Sequence, residues 1–236
     1  MAYLPEVFTM EPLTRMQTDS PTGMERSSER MIYKFMTSRD MAKVGCQDCA
    51  GCSDCCKGMG TSVLLDPYDM MELKRGLGSS FEELMQDKIQ LHVEDGLILP
   101  SLAMSGREES CTFLDEKGRC TVHGFRPGLC RLFPLGRDYS AGHLQYFLLE
   151  DACSKQNRSK VKIERWLDVP DLNQHEKFLT EWHFFLRRMR QRMEDGDDST
   201  RQRLAMQLLV CFYQQDFQKE TFYETVRQRM EQIDNH

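Results

Sequence analysis

Five cysteines occupy eleven consecutive positions in the run CQDCAGCSDCC, which extends from Cys46 to Cys56. So many thiols in so short a stretch admit three explanations: a disulfide knot, a cysteine nucleophile with neighbouring thiols, or a metal site. A disulfide knot requires an oxidising compartment, a nucleophile requires a nearby base, and a metal site requires further ligands at suitable spacing. The rest of the sequence distinguishes among the three. No other stretch constrains the fold as strongly, because thiols that are cross-linked or metal-bound hold a loop in one conformation.

The chain is long enough to fold without disulfides. Its 236 residues are 40% hydrophobic and 29% charged, which is typical of a globular protein with a substantial core. The sequence MAYLPEVFTMEPLTRMQTDS at the N-terminus lacks a basic start followed by an apolar stretch, so it predicts no secretory signal. No apolar run approaches the roughly 20 residues of a membrane helix. We therefore expect a cytoplasmic protein with reduced thiols and no membrane partner, which disfavours the disulfide knot.

The net charge of −6 argues against nucleic acid as a partner. Affinity for a phosphate backbone depends on clustered Lys and Arg. The one basic stretch, FLRRMRQRM from Phe185 to Met193, fits a solvated helix face better than a binding patch.

The centre of the chain predicts a small α+β unit. Two helices are expected, DPYDMMELKRGLG and SFEELMQDKIQLH, the first capped by Asp66 and the second opened by a Ser80–Glu83 capping box. Four short strands are expected at GLILP, CTFLD, CTVH and LQYFLLE. The turn EKGR, with Gly118 free to adopt positive φ, is expected to close a hairpin between CTFLD and CTVH.

The C-terminal part predicts helices alone. Apolar residues at three- and four-residue steps form stripes typical of core packing: Phe178, Trp182, Phe185, Met189 and Met193; then Leu204, Leu208 and Cys211; then Phe222, Val226, Met230 and Ile233. Ser199 with Gln202 is expected to open the middle helix. We thus divide the chain into a partly ordered lead-in (1–45), a cysteine-rich α+β domain (46–155) and a C-terminal α-helical layer (156–236).

The cysteine spacing favours a metal site. C-x-x-C lets two thiolates of one tight turn face one metal, and three such steps in succession are improbable by chance. Because Cys55 and Cys56 are adjacent, their side chains cannot easily point at one tetrahedral centre, so either they serve different metals or one of them is not a ligand. Downstream cysteines raise the number of candidate ligands above the four that one zinc or one [4Fe–4S] cluster takes, which favours two sites or a polynuclear site.

Two narrower patterns remain open. Cys46, Cys49, Cys52 and Cys56 have the C-x2-C-x2-C-x3-C spacing of bacterial ferredoxins, although Lys57 replaces the usual proline. This spacing keeps electron transfer or redox sensing as an alternative. The segment CTVH offers a cysteine with a nearby base, but metal ligation would silence such a nucleophile.

The segments CAGCSDCC and CTFLDEKGRCTVHGFRPGLCRLFP together resemble the CxxCxxCC cysteine-cluster family, often called YkgJ-type, described as a zinc- or iron-chelating domain. The resemblance covers roughly residues 46–155. It implies eight thiolate ligands: Cys49, Cys52, Cys55, Cys56, Cys111, Cys120, Cys130 and Cys153. Cys46 lies outside the family pattern, and His123 is an alternative ligand. Arg126 and Arg131, on either side of the Cys130 segment, either offset thiolate charge or hydrogen-bond the cluster's sulfurs, or else form ordinary ion pairs with local carboxylates.

The function that we predict is metal binding through cysteine thiolates. An iron–sulfur cluster, [4Fe–4S] in type, is favoured by the many soft ligands, with zinc second. Some members of the family are known as flagellin lysine N-methylases, so the resemblance also implies an alternative, S-adenosylmethionine-dependent methyl transfer to a protein lysine. Whether the chain is an enzyme, and whether it has a protein substrate or partner, stays open at this point.

Overall fold

The computed structural model describes residues 34–45, 52–94, 96–150, 152–155 and 157–235. The helices are α1 (Pro67–Leu77), α2 (Phe81–Asp87), α3 (Gly128–Leu132), α4 (Ile163–Leu167), α5 (Leu172–Asp195), α6 (Asp198–Leu209) and α7 (Phe222–Asp234). The strands are β1 (Met41–Gly45), β2 (Ile89–Glu94), β3 (Leu97–Leu102), β4 (Met104–Ser105), β5 (Ser110–Cys111), β6 (Leu135–Asp138), β7 (Gln145–Leu148) and β8 (Ser159–Lys162). None of these helices combines the length and the apolar character that crossing a membrane requires.

The strands pair into antiparallel ribbons of two strands each. β2 pairs with β3 over six residues, from Ile89 opposite Leu102 to Glu94 opposite Leu97. The other ribbons join β1 with β8, β4 with β5, and β6 with β7. An isolated ribbon is marginally stable in water, so helices are needed to cover it. α6 contacts β3, and α4 contacts both β1 and β8. The predicted α+β class is confirmed.

The first helix of the centre is confirmed at both ends. Asp66 caps α1 by accepting a hydrogen bond from the Asp69 N–H, and Pro67 is its first residue. Gly78 ends the helix in the left-handed conformation, at a φ of +64°. Asp69 also accepts from the Asp66 N–H at 3.2 Å, so the cap is reciprocal.

The second helix begins as predicted but is shorter. Ser80 and Glu83 form the expected capping box of α2. The predicted extension to His92 is wrong, because α2 ends at Asp87 and IQLH belongs to β2. Pairing with β3 gives this stretch a full antiparallel ladder, and this tertiary contact overrides a helical pattern that is only local.

Two of the four predicted strands are confirmed. GLILP lies in β3 and LQYFLLE contains β7. The strands CTFLD and CTVH are wrong: β5 ends at Cys111, and the CTVH residues lie in turns that lead into a 3₁₀ helix beginning at His123.

The predicted EKGR turn does form, although the hairpin around it is minimal. Gly118 adopts a φ of +68°, and the turn closes one bridge, Leu114 with Cys120. The carboxylate of Asp115 accepts the N–H groups of Lys117 and Arg119 at 2.9 and 2.8 Å. A side chain that bonds its own turn competes with strand pairing, which explains why no longer ladder forms.

The predicted helical layer is confirmed, and its apolar stripes are buried. One continuous core joins α1, β3 and Phe113 to α5, α6 and α7. The middle helix starts earlier than expected, because Asp197 and not Ser199 accepts from the Thr200 N–H. Cys211 is only half-buried, in a π-helical turn (Val210–Gln214) that follows α6.

A smaller core lies beneath β1 and β8. Its buried residues are Ala42, Val44, Leu132, Leu135, Tyr146, Ile163 and Leu167. This core joins the end of the lead-in to residues after 155, and residues 1–33 lie outside the described part. The domain boundaries at 45 and 155 stay predictions.

Candidate metal centre

The end of the cysteine run lies beside the strand that carries Cys111. Cys55 and Cys56 are in a 3₁₀ turn. The next residue, Lys57, forms an antiparallel bridge with Ser110, the residue before Cys111. This bridge brings two parts of the chain that are distant in sequence side by side. Cys46 and Cys49 lie outside the described residues.

Backbone amides point at two of the sulfurs. The Phe113 N–H donates to Cys111, and the Val122 N–H donates to Cys120. In both cases the donor lies two residues after the cysteine, on a tight turn. Hydrogen bonds to sulfur favour the thiolate, which is the form that binds metal.

A buried carboxylate holds the segment that carries Cys130. The N–H of Gly128, at the start of α3, donates to Asp69 Oδ1 at 2.7 Å. Asp69 belongs to α1, so this bond attaches α3 to a longer helix. A Cβ at Gly128 would lie 3.0 Å from Arg137 Nη2, so a larger residue would require the Arg137 side chain to shift. Sequence reasoning missed Asp69 and Arg137, since no spacing rule connects them to a distant cysteine.

Five thiols lie within electrostatic reach of one another: Cys55, Cys56, Cys111, Cys120 and Cys130. Burial is the main cause that raises the pKa of Cys111, Cys120 and Cys130. For Cys130 the negative charge of Asp69 comes next, and the nearby thiols raise its pKa further. The structure thus gathers cysteines from three separate segments.

The adjacent thiols of Cys55 and Cys56 contact each other. They form a side-chain hydrogen bond. This bond lowers the pKa of Cys55 to about 7 and raises that of Cys56. Both sulfurs are therefore presented to the same surroundings.

The other predicted ligands lie around Asp54. Cys52 hydrogen-bonds to its carboxylate. Ser154, the neighbour of Cys153, donates to Asp54 Oδ2 at 2.5 Å, and this bond is the largest cause that lowers the pKa of Asp54. The segment that carries Cys153 thus lies against the end of the cysteine run.

The described cysteines are all free thiols. No three Cys, His, Asp or Glu side chains among the described residues are already arranged to hold one metal ion. The chemistry of the donors nevertheless fits zinc or iron, because clustered soft thiols with N–H donors suit both. An open cleft of about 680 Å³ adjoins Cys111 and Lys88 and gives solvent access to this side.

His123 bonds an arginine. Its Nε2 lies 2.7 Å from Arg126 Nη1. Arginine can only donate, so this nitrogen must be the acceptor and the ring must be neutral. Burial, followed by the charges of Arg126 and Arg131, lowers the pKa of His123. With Nε2 engaged in this way, the structure favours a thiolate set without His123.

Arg131 has a structural role that differs from both predictions. Its guanidinium donates to the carbonyl oxygens of Gly124 and Asp168 at 2.9 and 3.2 Å, and its Nε donates to the Arg126 carbonyl at 3.1 Å. These bonds fix the loop between Cys120 and Cys130. They involve neither a sulfur nor a carboxylate.

A comparison with protein families finds one match. Residues 48–154 match the family model CxxCxxCC, described as "Putative zinc- or iron-chelating domain". The match supports metal binding by zinc or iron and says nothing of methyl or electron transfer. No curated protein sequence matches the chain, and no solved structure does. Residues 48–154 are therefore similar to the CxxCxxCC family of domains.

Proposed function

We propose that the chain holds a polynuclear metal centre, an iron–sulfur cluster, through its gathered thiols. The ligands are Cys111, Cys120 and Cys130 with the pair Cys55 and Cys56. The observation that carries this proposal is the convergence of these five thiols from three segments. A single zinc ion takes four ligands, so five neighbouring thiols favour a centre with more than one metal.

Cys49, Cys52 and Cys153 complete the proposed set of eight. The contacts of Asp54 with Cys52 and Ser154 support the presence of Cys52 and Cys153 at the same end of the molecule. An iron–sulfur cluster would supply one-electron chemistry, or a rigid cross-link between loops, when it is bound. The chain's own contribution is to hold the thiols, to direct backbone N–H groups at two of them and to bury Cys111.

The test is anaerobic purification followed by analysis of iron, zinc and acid-labile sulfide. We expect a coloured protein with iron and sulfide in equal amounts. A colourless protein with zinc and no sulfide would overturn the iron–sulfur proposal while leaving metal binding intact. Protein without either metal, even after anaerobic reconstitution, would overturn both.

Matched serine variants locate the site. Cys111→Ser is expected to lose most of the bound metal, because its sulfur belongs to the gathered group. Cys211→Ser is the control, since this half-buried thiol follows α6 and packs on the helical core. Equal metal contents in the two variants would remove Cys111 from the ligand set.

A further inference from the structure

Arg126 occupies a special position between two proposed ligands. It follows the 3₁₀ helix His123–Phe125 and lies in the loop that connects Cys120 to Cys130. Its backbone carbonyl accepts the Arg131 Nε, and its Nη1 is held by His123. Both ends of the residue are therefore fixed by neighbours that carry no negative charge.

The guanidinium of Arg126 lacks the usual partner of a half-buried arginine. Within the described residues no carboxylate lies at ion-pair distance from it. Its Nε is buried and has no hydrogen-bond acceptor in the same part of the chain. A buried donor without an acceptor has lost its bond to water and gained none in exchange, so such a group calls for an explanation.

The thiols supply that explanation. The guanidinium of Arg126 is close enough to Cys55 and Cys120 for its positive charge to favour both thiolates, although burial raises the pKa of Cys120 and the bond from Cys56 is the main cause that lowers that of Cys55. A metal bound by several thiolates carries net negative charge, and thiolate sulfur accepts hydrogen bonds. Arg126 has no carboxylate partner within the described residues, and the metal-bound thiolates would supply the negative charge that it lacks.

We propose that Arg126 is a positioning residue of the metal centre, whose guanidinium donates to a metal-bound sulfur of Cys55 or Cys120 and offsets thiolate charge. This proposal rests on the proposed function. His123 holds the guanidinium in place by accepting at Nε2, and Arg131 fixes the loop behind it. The charge and the Nε donor are thus present before metal arrives.

The experiment compares three variants of the full chain with the wild type, each carrying the iron or zinc with which it is isolated. A chelator is added, and the rate of metal loss is followed by absorbance. Arg126→Gln is expected to lose metal about 10- to 100-fold faster, the usual cost of removing a group that bonds a metal ligand. Arg126→Lys keeps the charge and is expected to remain within about threefold of the wild type.

Arg119→Gln is the matched control, because Arg119 is exposed, adjoins Cys120 and gives the same change in charge. It is expected to lose metal at the wild-type rate. If Arg126→Gln behaves like Arg119→Gln, the proposal for Arg126 is overturned and metal binding stands. Wild-type protein without any metal would instead defeat the proposed function.

Folding of each variant is checked by circular dichroism. Should Arg126→Gln fail to fold, Arg126→Lys decides the matter. If the folded Arg126→Lys variant loses metal within threefold of the wild-type rate, the positive charge of residue 126 contributes to metal retention. If it loses metal more than tenfold faster than the wild type, a contribution of the charge is contradicted.

Discussion

The cysteine segment (residues 103–126) and helix α5 are of equal length and are stabilised in different ways. In the cysteine segment the buried hydrophobic side chains are Cys111, Phe113 and Val122. Helix α5 buries Phe178, Leu179, Trp182, Phe185, Met189 and Met193. Turns and side chain–backbone bonds shape the first, and aromatic packing stabilises the second. Hydrogen bonds between near neighbours in the chain therefore specify the conformation of the cysteine segment. Unlike helix α5, this segment gains little free energy from the burial of apolar side chains.

The largest expected effect is that of metal on the cysteine segment alone. We expect chelation of the metal to speed amide hydrogen exchange there by at least about 100-fold, because the free energy of metal binding at such sites is also folding free energy. Amides of α5 should change less than about twofold, since their protection comes from the apolar core. Exchange followed by mass spectrometry measures both. Equal changes in exchange rate in the two regions would show that they fold as one unit and would contradict the proposed difference between them.

The converse perturbation is Phe185→Ala. Phe185 is fully buried between Trp182 and Phe212, so its truncation is expected to cost about 4 kcal/mol in the free energy of unfolding. Urea unfolding followed by circular dichroism gives the value. The neighbour Phe184 is half-buried, and Phe184→Ala should cost less than half as much. If Phe185→Ala also empties the metal site while the helices remain folded, the two regions depend on each other more than we infer.

A smaller effect depends on pH and involves His175. This imidazole is 2% exposed, and burial lowers its pKa to about 3, whereas an unfolded histidine titrates near 6.5. The unfolded chain therefore binds the proton first, and stability is lost as the pH falls from 6.5 towards 3. Between pH 6.5 and 5 the loss should be about 2 kcal/mol relative to His175→Phe.

Urea unfolding at the two pH values measures the His175 contribution. His143 is exposed, so His143→Gln should keep the wild-type pH dependence. A His175→Phe variant whose stability still falls as steeply as that of the wild type would assign the effect to other groups. This measurement also bears on the comparison of the cysteine segment with helix α5. The loss of stability at low pH should arise in α5 and α7 and leave the metal content unchanged.

The smallest effect concerns the cap of α2. Ser80→Ala removes the acceptor for the Glu83 N–H and is expected to cost about 1 kcal/mol. Ser79→Ala, one residue earlier and outside the cap, should be close to neutral. Thermal unfolding resolves the difference, and equal melting temperatures for the two variants would contradict the capping role. A change confined to α2 is expected to leave both larger regions intact.

The sequence by itself determined the features that depend on neighbours in the chain. The caps of α1 and α2, the EKGR turn and the apolar faces of α5 and α7 follow from hydrogen bonds or periodicity within a few residues. The spacing of the cysteines likewise pointed to metal binding and to the CxxCxxCC family, whose model matches residues 48–154. In each case the relevant partners lie close together along the chain.

Only the tertiary structure decided which distant groups meet. IQLH became a strand because β3 pairs with it, and CTVH did not because it found no partner strand. The role of Asp69 depends on a bond from the distant Gly128 N–H, which no spacing encodes. The same holds for the meeting of Cys55 and Cys56 with Cys111, Cys120 and Cys130. Such contacts form when long loops close, and the free energy that decides them comes from burial and charge across the whole fold.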